Sequence, residues 1–230
     1  EDNQLDIIED GIGGRFTLKC NNAEELMQKY GTMPTPPYIK EEIDSPSDYQ
    51  TIYAEENGSV AAPTAGFHFT KDILTELRNK GVGIYDIILH VGPGTFLPVR
   101  DEDIEKHEMG KEYYEVNEET AHAVTEANEE GRRVILVGTT TVRALETVSE
   151  NGLVKPKSGW TDLFIYPDYD FQSGMDLLLT NFHLPKSTLL MLVSAFVDRE
   201  RILDAYEEAK EKDYRFYSFG DAMLLEGNNG

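Results

Sequence analysis

The stretch 177–196 combines hydrogen-bonding side chains with two apolar runs, in the order of a strand, a loop and a helix. Its loop, residues 181–186, contains an amide, an imidazole and an ammonium group, and Ser187 follows where a helix N-cap is expected. These groups can hydrogen-bond a ligand, move a proton or bind an anion. Because α/β proteins place ligands in loops at strand ends, the stretch indicates a ligand site. Ordinary capping by Ser187 and solvation of Lys186 are the structural alternatives.

Two other histidines stand near local structure of a similar kind. The run 84–91 predicts a buried strand with His90 near its end and a tight turn after it. The run 58–66 is rich in small residues and precedes His68. Small residues allow a backbone to approach a ligand, but they also allow close packing of backbone on backbone, and we favour packing for this run on its own.

A third candidate is the sequence 133–143, an apolar strand that leads through Gly138 into hydroxyl residues and a helix. The hydroxyls of Thr139 and Thr140 at a helix N-terminus, with Arg143 one turn on, would suit an anion. The spaced glycines of a dinucleotide-binding or Walker loop are absent, so capping explains the threonines equally well.

Strands and helices alternate from Gly58 onward, which favours an α/β fold with a mixed, largely parallel sheet. Further strands are predicted at 15–20, 163–166 and 214–219, and helices are predicted after the caps Asn22, Thr70, Asn117 and Asp198. Strands ending at residues 90, 138, 181 and 218 would deliver their loops to one edge of the sheet. That edge would gather His90, Thr139, Arg143, Asn181, His183, Lys186 and Asp221, together with His68 if its loop lies alongside.

A boundary between two domains is predicted near residue 33. Three prolines within residues 34–37 forbid regular structure and stiffen the chain into an extended spacer. The sequence therefore divides into 1–33 and 34–230.

Composition limits the possible partners. The formal net charge of −22 argues against a nucleic-acid partner, since phosphate binding needs clustered cations. The residues that could form a locally basic patch for such a partner are Lys155, Lys157, Lys186, Arg143 and Arg215. The excess of acidic over basic residues would also be expected in a protein from a salt-adapted organism. Cys20 is the single cysteine, which excludes an internal disulfide, and the histidines lack metal-ligand spacing. The missing ligand spacing predicts that the protein binds no metal. No apolar run reaches membrane-spanning length, so we expect a cytoplasmic protein.

Ordered motifs along nearly the whole chain resemble the S-adenosylmethionine:tRNA ribosyltransferase-isomerase family. They are Met-Pro-x-Pro-Pro-Tyr-Ile at 33–39, Tyr-Gln-Thr at 49–51, Ala-Ala-Pro-Thr-Ala-Gly-x-His-Phe-Thr at 61–70, Leu-His-Val-Gly-x-Gly-Thr-Phe-x-Pro-Val at 89–99, Val-Gly-Thr-Thr at 137–140, Thr-Asn-Phe-His-Leu-Pro-x-Ser-Thr-Leu at 180–189 and Tyr-Arg-Phe-x-Ser-x-Gly-Asp-Ala-Met at 214–223.

The resemblance implies transfer of the ribosyl part of S-adenosylmethionine to 7-aminomethyl-7-deazaguanine in tRNA. The sugar is isomerised, epoxyqueuosine forms, and adenine and methionine leave. S-adenosylmethionine would be a consumed substrate, with no cofactor, and the protein is expected to be a monomer. Within the matched motifs, the expected catalytic residues are His68, His90, His183 and Lys186. The expected substrate-binding residues are Thr64, Gly66, Gly92, Gly94, Thr95, Thr139, Thr140, Arg143, Asn181, Ser187, Arg215 and Asp221.

This sequence departs from the family pattern in three places. Gly110 replaces a second histidine after His107, which puts a role for that imidazole in doubt, and Asp168 and Asp198 stand at expected turn positions where glycine is usual. The family's N-terminal portion is also expected to be missing, with residues 1–33 corresponding to the end of an inserted β-barrel. A chain of this kind could be an active enzyme, a binding remnant without turnover, or a relative with another acceptor.

Overall fold

The structure is a computed structural model that describes residues 5–10, 16–32, 34–36, 38–40, 45–92, 104, 107 and 109–227. The chain forms two compact units, Glu1–Pro34 and Thr35–Gly230. The predicted substrate contacts Gly94 and Thr95 lie outside the described residues.

The described residues of the first unit form two strands and one helix. Strand β1 (Asp6–Asp10) pairs antiparallel with β2 (Phe16–Lys19), and the register shifts between Ile7 and Glu9. Helix α1 (Ala23–Tyr30) follows, although the side chain of Asn22 makes no capping hydrogen bond. The assignment of this unit to the end of a β-barrel stays a prediction.

The second unit alternates helices with short strands. Two 3₁₀ turns, Pro46–Tyr49 and Thr64–His68, come before or between the regular elements. The strands are β3 (Ile88–His90), β4 (Glu112–Val116), β5 (Ile135–Val137), β6 (Ser149–Glu150), β7 (Leu153–Val154), β8 (Lys157–Thr161), β9 (Leu177–Asn181) and β10 (Ala222–Glu226). The helices are α2 (Lys71–Asn79), α3 (Glu118–Glu129), α4 (Thr139–Val148), α5 (Thr188–Phe196) and α6 (Arg199–Glu211). None of the described helices combines the length and hydrophobicity that a membrane span requires.

The strands form a mixed set of sheets. One sheet has the order β10-β9-β5, a second has the order β3-β4-β8, and β6 and β7 form a hairpin. Among the described strands, β5 and β9 are the parallel pair and the other pairs are antiparallel, so the expectation of a largely parallel sheet is wrong for this part of the chain. Two successive helices, α5 and α6, connect β9 to β10, and the second helix returns the chain in the opposite direction.

Two predicted strands are not strands in the structure. Residues 163–166 have no ladder partner, although Ile165 is buried, so the alternation there reflects packing of side chains on the core. Residues 214–219 form a turn, and the chain enters a strand only at Ala222. An alternating pattern predicts which side chains are buried, whereas a partner strand is supplied by the rest of the fold.

Five of the predicted cap and turn positions can be compared with the backbone. The side chains of Thr70, Asn117, Ser187 and Asp198 accept hydrogen bonds from the first turns of α2, α3, α5 and α6, which confirms these helix starts. Asp168 has a φ of 74°, as expected for a turn position usually held by glycine. Asp198 is extended instead, because it caps a helix.

A buried cluster of described residues joins the β10-β9-β5 sheet to its helices. It contains the fully buried Leu178 of β9, Val142 and Leu145 of α4, and Leu192 and Val193 of α5. Burying side chains of this size stabilises the fold by roughly 1.5–3 kcal/mol each. The core therefore fixes the ends of β5 and β9 and the starts of α4 and α5, which carry the groups described next.

Candidate active site

A pocket of about 350 Å³ lies in the second unit, at the carboxyl ends of β5 and β9. It is bordered by the starts of α4 and α5, the 3₁₀ turn at 64–68 and the turn before β10. The lining residues are Tyr38, Ala61, Ala62, Pro63, Thr64, Ala65, Val91, Gly138, Thr139, Thr140, Thr180, Asn181, Phe182, His183, Leu184, Pro185, Ser187, Leu189, Tyr217 and Ser218.

The parallel pairing of β5 with β9 explains why these groups meet. Val137 pairs with Leu179, and the backbone N–H of Gly138 donates to the carbonyl of Leu179 at 2.8 Å. Both strands therefore end at the same edge, where one continues into α4 and the other into the loop 181–187. This is the position at which open α/β sheets bind ligands.

Asn181 connects two other elements through its amide. Its Oδ1 accepts a hydrogen bond from Thr64 Oγ1 at 3.0 Å, and its Nδ2 lies 3.2 Å from Nε2 of His68. Because the amide nitrogen can only donate, Nε2 of His68 is the acceptor and the ring carries its proton on Nδ1. Asn181 thus holds His68 with an unprotonated Nε2, one hydrogen bond from the pocket wall.

His183 is a buried, uncharged part of the lining. Its Nε2 lies 3.0 Å from Thr180 Oγ1, and its backbone N–H donates to the hydroxyl of Tyr206 at 2.7 Å. Burial lowers the pKa of His183 from 6.5 to about 4, since the charged form loses its hydration. At neutral pH this imidazole is therefore a neutral hydrogen-bonding group.

The lowered pKa of His183 predicts a pH-dependent stability. Between pH 6.5 and about 4, His183 binds a proton in the unfolded chain but not in the folded chain. The stability that neutral His183 contributes to the fold is therefore complete above pH 6.5 and is lost as the pH falls through that window. We expect roughly 3 kcal/mol to depend on this group. Urea unfolding of wild type and His183→Gln from pH 4.5 to 7.5 would measure it, with His122→Gln, on the exposed side of α3, as the control. Equal slopes for wild type and His183→Gln would contradict the prediction.

The turn before β10 brings Tyr217 and Ser218 to the pocket. Asp221 closes this turn, because its carboxylate accepts from the backbone N–H of Arg215 at 2.7 Å and from the Arg215 guanidinium at 3.2 Å. These two bonds, the backbone bond first, lower the pKa of Asp221. Ser218 Oγ in turn bonds the hydroxyls of Tyr38 at 2.7 Å and Tyr49 at 2.9 Å. The predicted substrate contacts Arg215 and Asp221 therefore lie outside the lining and hold residues that form it.

Arg143 lies beneath the pocket and is not part of its lining. Its Nη1 forms an ion pair with Glu112 at 2.7 Å, with both side chains at most 5% exposed, and its Nε donates to the carbonyl of Leu163. Glu112 Oε1 also accepts from the backbone N–H of Gly92 at 3.2 Å. The positive charge is thus used inside the protein, and the pair fixes the backbone that follows β3.

Five other predicted site residues also lie outside the lining, namely His68 and Gly92, whose bonds are given above, and His90, Gly66 and Lys186. His90 stacks on Tyr113, with ring centroids 5.6 Å apart, on the β3-β4-β8 sheet. Gly66 is buried against Tyr53, whose hydroxyl would overlap any β-carbon there, so the small-residue run serves packing at this point. Lys186 is exposed, with a φ of 56°, between the lining residues Pro185 and Ser187.

The structure also assigns lining positions that sequence reasoning missed, above all Tyr38, Thr180, Tyr217 and Ser218. Tyr38 follows the proline-rich segment, which suggested only a spacer. Tyr217 and Ser218 lay in a predicted strand, and the Gly-Asp pair that follows them was the available sign of a turn. In the described part of the chain, no group of three His, Cys, Asp or Glu side chains could hold a metal ion.

Comparisons with known proteins agree with one another. The family described as Queuosine biosynthesis protein matches residues 3–225. An S-adenosylmethionine:tRNA ribosyltransferase-isomerase of Natranaerobius thermophilus is 56% identical over 222 residues, covering 96% of this chain and 64% of its own. A relative of the same name from Carboxydothermus hydrogenoformans is 58% identical over 88% of this chain and 60% of its own length.

A solved structure gives the same result. The crystal structure of S-adenosylmethionine tRNA ribosyltransferase from Thermotoga maritima superposes with a TM-score of 0.58 and 46% identity, over 70% of this chain and 51% of that one. The chain thus spans about three fifths of the length of the curated relatives. The family matches this chain over most of the chain's length, and the relatives are more than half identical to it. The chain therefore belongs to the queuosine biosynthesis protein family.

Proposed function

We propose that this chain carries out the S-adenosylmethionine:tRNA ribosyltransferase-isomerase reaction of its relatives. The ribosyl group of S-adenosylmethionine is transferred to 7-aminomethyl-7-deazaguanine in tRNA and isomerised, which gives epoxyqueuosine and releases adenine and methionine. The observation that carries the proposal is the convergence of Thr64, Asn181 and His183, from separate parts of the chain, on one pocket. S-adenosylmethionine is consumed, and no other cofactor takes part.

The reaction needs a base, because a proton must leave the carbon next to the sulfonium, where the positive charge makes it acidic. His68 suits this role if the substrate displaces the Asn181 amide, because the lone pair of its unprotonated Nε2, which accepts from Asn181 in the free protein, can then take the proton. His183 suits the role less well because burial lowers its pKa, and a weaker base removes a proton more slowly. We assign the proton transfer to His68 and hydrogen bonding of the substrate to His183.

The start of α4 offers backbone donors to the same pocket. Its N-cap is Gly138, with a φ of 88° and no side-chain cap, so the first N–H groups of the helix lack a capping acceptor. Helix N-termini attract negative charge. The carboxylate of the methionine part of the substrate, lying beside Thr139 and Thr140, satisfies these donors in the proposed complex.

Recognition of tRNA must overcome the net charge of −22. Lys186, exposed beside the pocket, makes no hydrogen bond or ion pair with any described residue and can contact a phosphate. If phosphates are contacted, the affinity for tRNA falls steeply as salt is raised. Titration of tRNA at several salt concentrations, with Lys186→Gln alongside, measures this, and affinity that ignores salt would favour a relative with another acceptor.

The direct test is adenine release from wild-type protein supplied with S-adenosylmethionine and tRNA that carries the modified base. Adenine should appear only when both substrates are present, with unmodified tRNA as the negative control. The alternative, a binding remnant without turnover, predicts heat of binding in a calorimetric titration with S-adenosylmethionine and no adenine. The length of the chain, about three fifths of its relatives, is the observation that favours this alternative.

Replacement of the three candidate histidines by glutamine should separate their roles. We expect adenine release to fall by about a hundredfold or more in His68→Gln, since general bases contribute that much. His183→Gln should lose activity through substrate binding. His90→Gln should lose least because His90 stacks on Tyr113 and, unlike His68, is not hydrogen-bonded to a described residue of the pocket lining. Near-normal rates in all three variants would rule out an imidazole base.

A further inference from the structure

One wall of the pocket consists of aromatic rings to which the proposed reaction assigns no function. Tyr38 and Tyr217 both line the pocket, and their ring centroids are 4.9 Å apart at an angle of 37°. Both side chains are half-buried, so their rings are partly open to a ligand. Tyrosine rings are rigid and present a wide apolar face.

Tyr217 is held in an unfavourable backbone conformation. Its φ of 71° lies in the left-handed region, which costs a bulky residue free energy and is found where a site imposes it. The conformation is fixed by bonds on both sides, from the N–H of Tyr217 to the carbonyl of Phe182 at 3.1 Å and from the N–H of Gly220 to the carbonyl of Tyr217 at 3.0 Å. Glycine would accept this φ without strain, so the ring itself is the reason to look for a role at this position.

The orientation of the second ring is fixed as well. Tyr38 donates to or accepts from Ser218 Oγ, the residue next to Tyr217, at 2.7 Å. The Arg215–Asp221 bonds close the same turn. The wall is therefore preorganised, which lowers the entropy that a ligand must lose on binding.

The chemistry of the lining selects the part of the donor that fits this wall. None of the described lining residues is an acid, a lysine or an arginine, and His183 is neutral. A sulfonium would find no carboxylate there. A flat, neutral heterocycle instead gains by stacking on aromatic rings, by an amount that is sufficient to change affinity about tenfold.

We propose that Tyr217, supported by Tyr38, is the surface on which the adenine ring of S-adenosylmethionine stacks before it leaves. The inference rests on the proposed function and adds to it a specific contact for the leaving group. The hydroxyl of Tyr217 has no part in stacking, so phenylalanine can replace it.

The test measures binding of S-adenosylmethionine and of S-adenosylhomocysteine, its neutral thioether analogue, by calorimetry. The variants are Tyr217→Gly, which removes the ring and accepts the same φ, and Tyr217→Phe, which keeps the ring. Tyr214→Leu is the control, because Tyr214 is an exposed tyrosine just before the same turn and does not line the pocket. Thermal unfolding of each variant confirms that the fold is retained.

We expect Tyr217→Gly to weaken both ligands by about tenfold or more and Tyr217→Phe and Tyr214→Leu to bind within about threefold of wild type. A loss confined to S-adenosylmethionine would place Tyr217 at the sulfonium and overturn the inference, as would unchanged affinity in Tyr217→Gly. Wild-type protein that binds no S-adenosylmethionine would overturn the proposed function together with this contact, whereas normal binding in wild type and Tyr217→Gly removes the contact alone.

Discussion

Replacing Arg143 with methionine should destabilise the fold by about 3–5 kcal/mol, because it removes the guanidinium that is ion-paired with the buried carboxylate of Glu112. Both side chains are nearly inaccessible, so water cannot solvate the remaining charge. The bond from Gly92 to Glu112 Oε1 persists but does not neutralise it. Urea unfolding at pH 7.5, extrapolated linearly to zero denaturant, measures the loss.

The matched control is Lys155→Met. Lys155 also forms an ion pair, with Glu150 at 3.3 Å, but the side chains of both residues are more than half exposed. Removing this ion pair should therefore change the free energy of unfolding little. The double variant Arg143→Met/Glu112→Leu should recover much of the loss, since no buried charge then remains. Equal free energies of unfolding for Arg143→Met and Lys155→Met would show that the Arg143–Glu112 ion pair does not stabilise the core.

Replacing Asn181 with aspartate should lower adenine release by about a hundredfold or more, provided that His68 is the base. The substitution keeps the shape of the side chain and the bond from Thr64, but it exchanges the donor that faces His68 for an acceptor. Nε2 of His68 must then carry a proton to hydrogen-bond the carboxylate. A protonated Nε2 cannot accept the proton that the reaction releases.

Thermal unfolding separates this explanation from a loss of fold. Asn181→Asp should unfold close to wild type, since the side chain keeps its size and its bond from Thr64. Asn151→Asp is the control, since Asn151 is exposed in the β6–β7 turn with a φ of 50°, which aspartate also tolerates. Near-normal adenine release by a folded Asn181→Asp variant would remove His68 from the role of base.

Several features of the site could be predicted from the sequence because they depend on neighbours in the chain. The N-caps at Thr70, Asn117, Ser187 and Asp198 follow from side chains that reach their own helix, and the structure confirms them. The strand, loop and helix around Asn181 follow from the local apolar pattern in the same way. The predicted domain boundary near residue 33 and the predicted catalytic roles are still open to test.

Other features depend on contacts between residues far apart in the sequence. Arg143 looked like an anion-binding group beside Thr139, yet Glu112 neutralises it. His90 stood near a strand end like that of Asn181, yet its strand lies in the other sheet. The segment 214–219 alternates like a strand, but hydrogen bonds donated by Arg215 to the Asp221 carboxylate turn the chain there and bring Tyr217 into the pocket.

The sequence by itself determined the helix starts after Thr70, Asn117, Ser187 and Asp198 and the stretch that carries Asn181 and His183, because propensity, capping and apolar periodicity act over a few residues. Only the tertiary structure decided which polar groups share the pocket, which charge is neutralised and where the backbone takes a positive φ. Those outcomes depend on strand pairing and on the partners that burial places beside each group, and no pattern within a single segment specifies them.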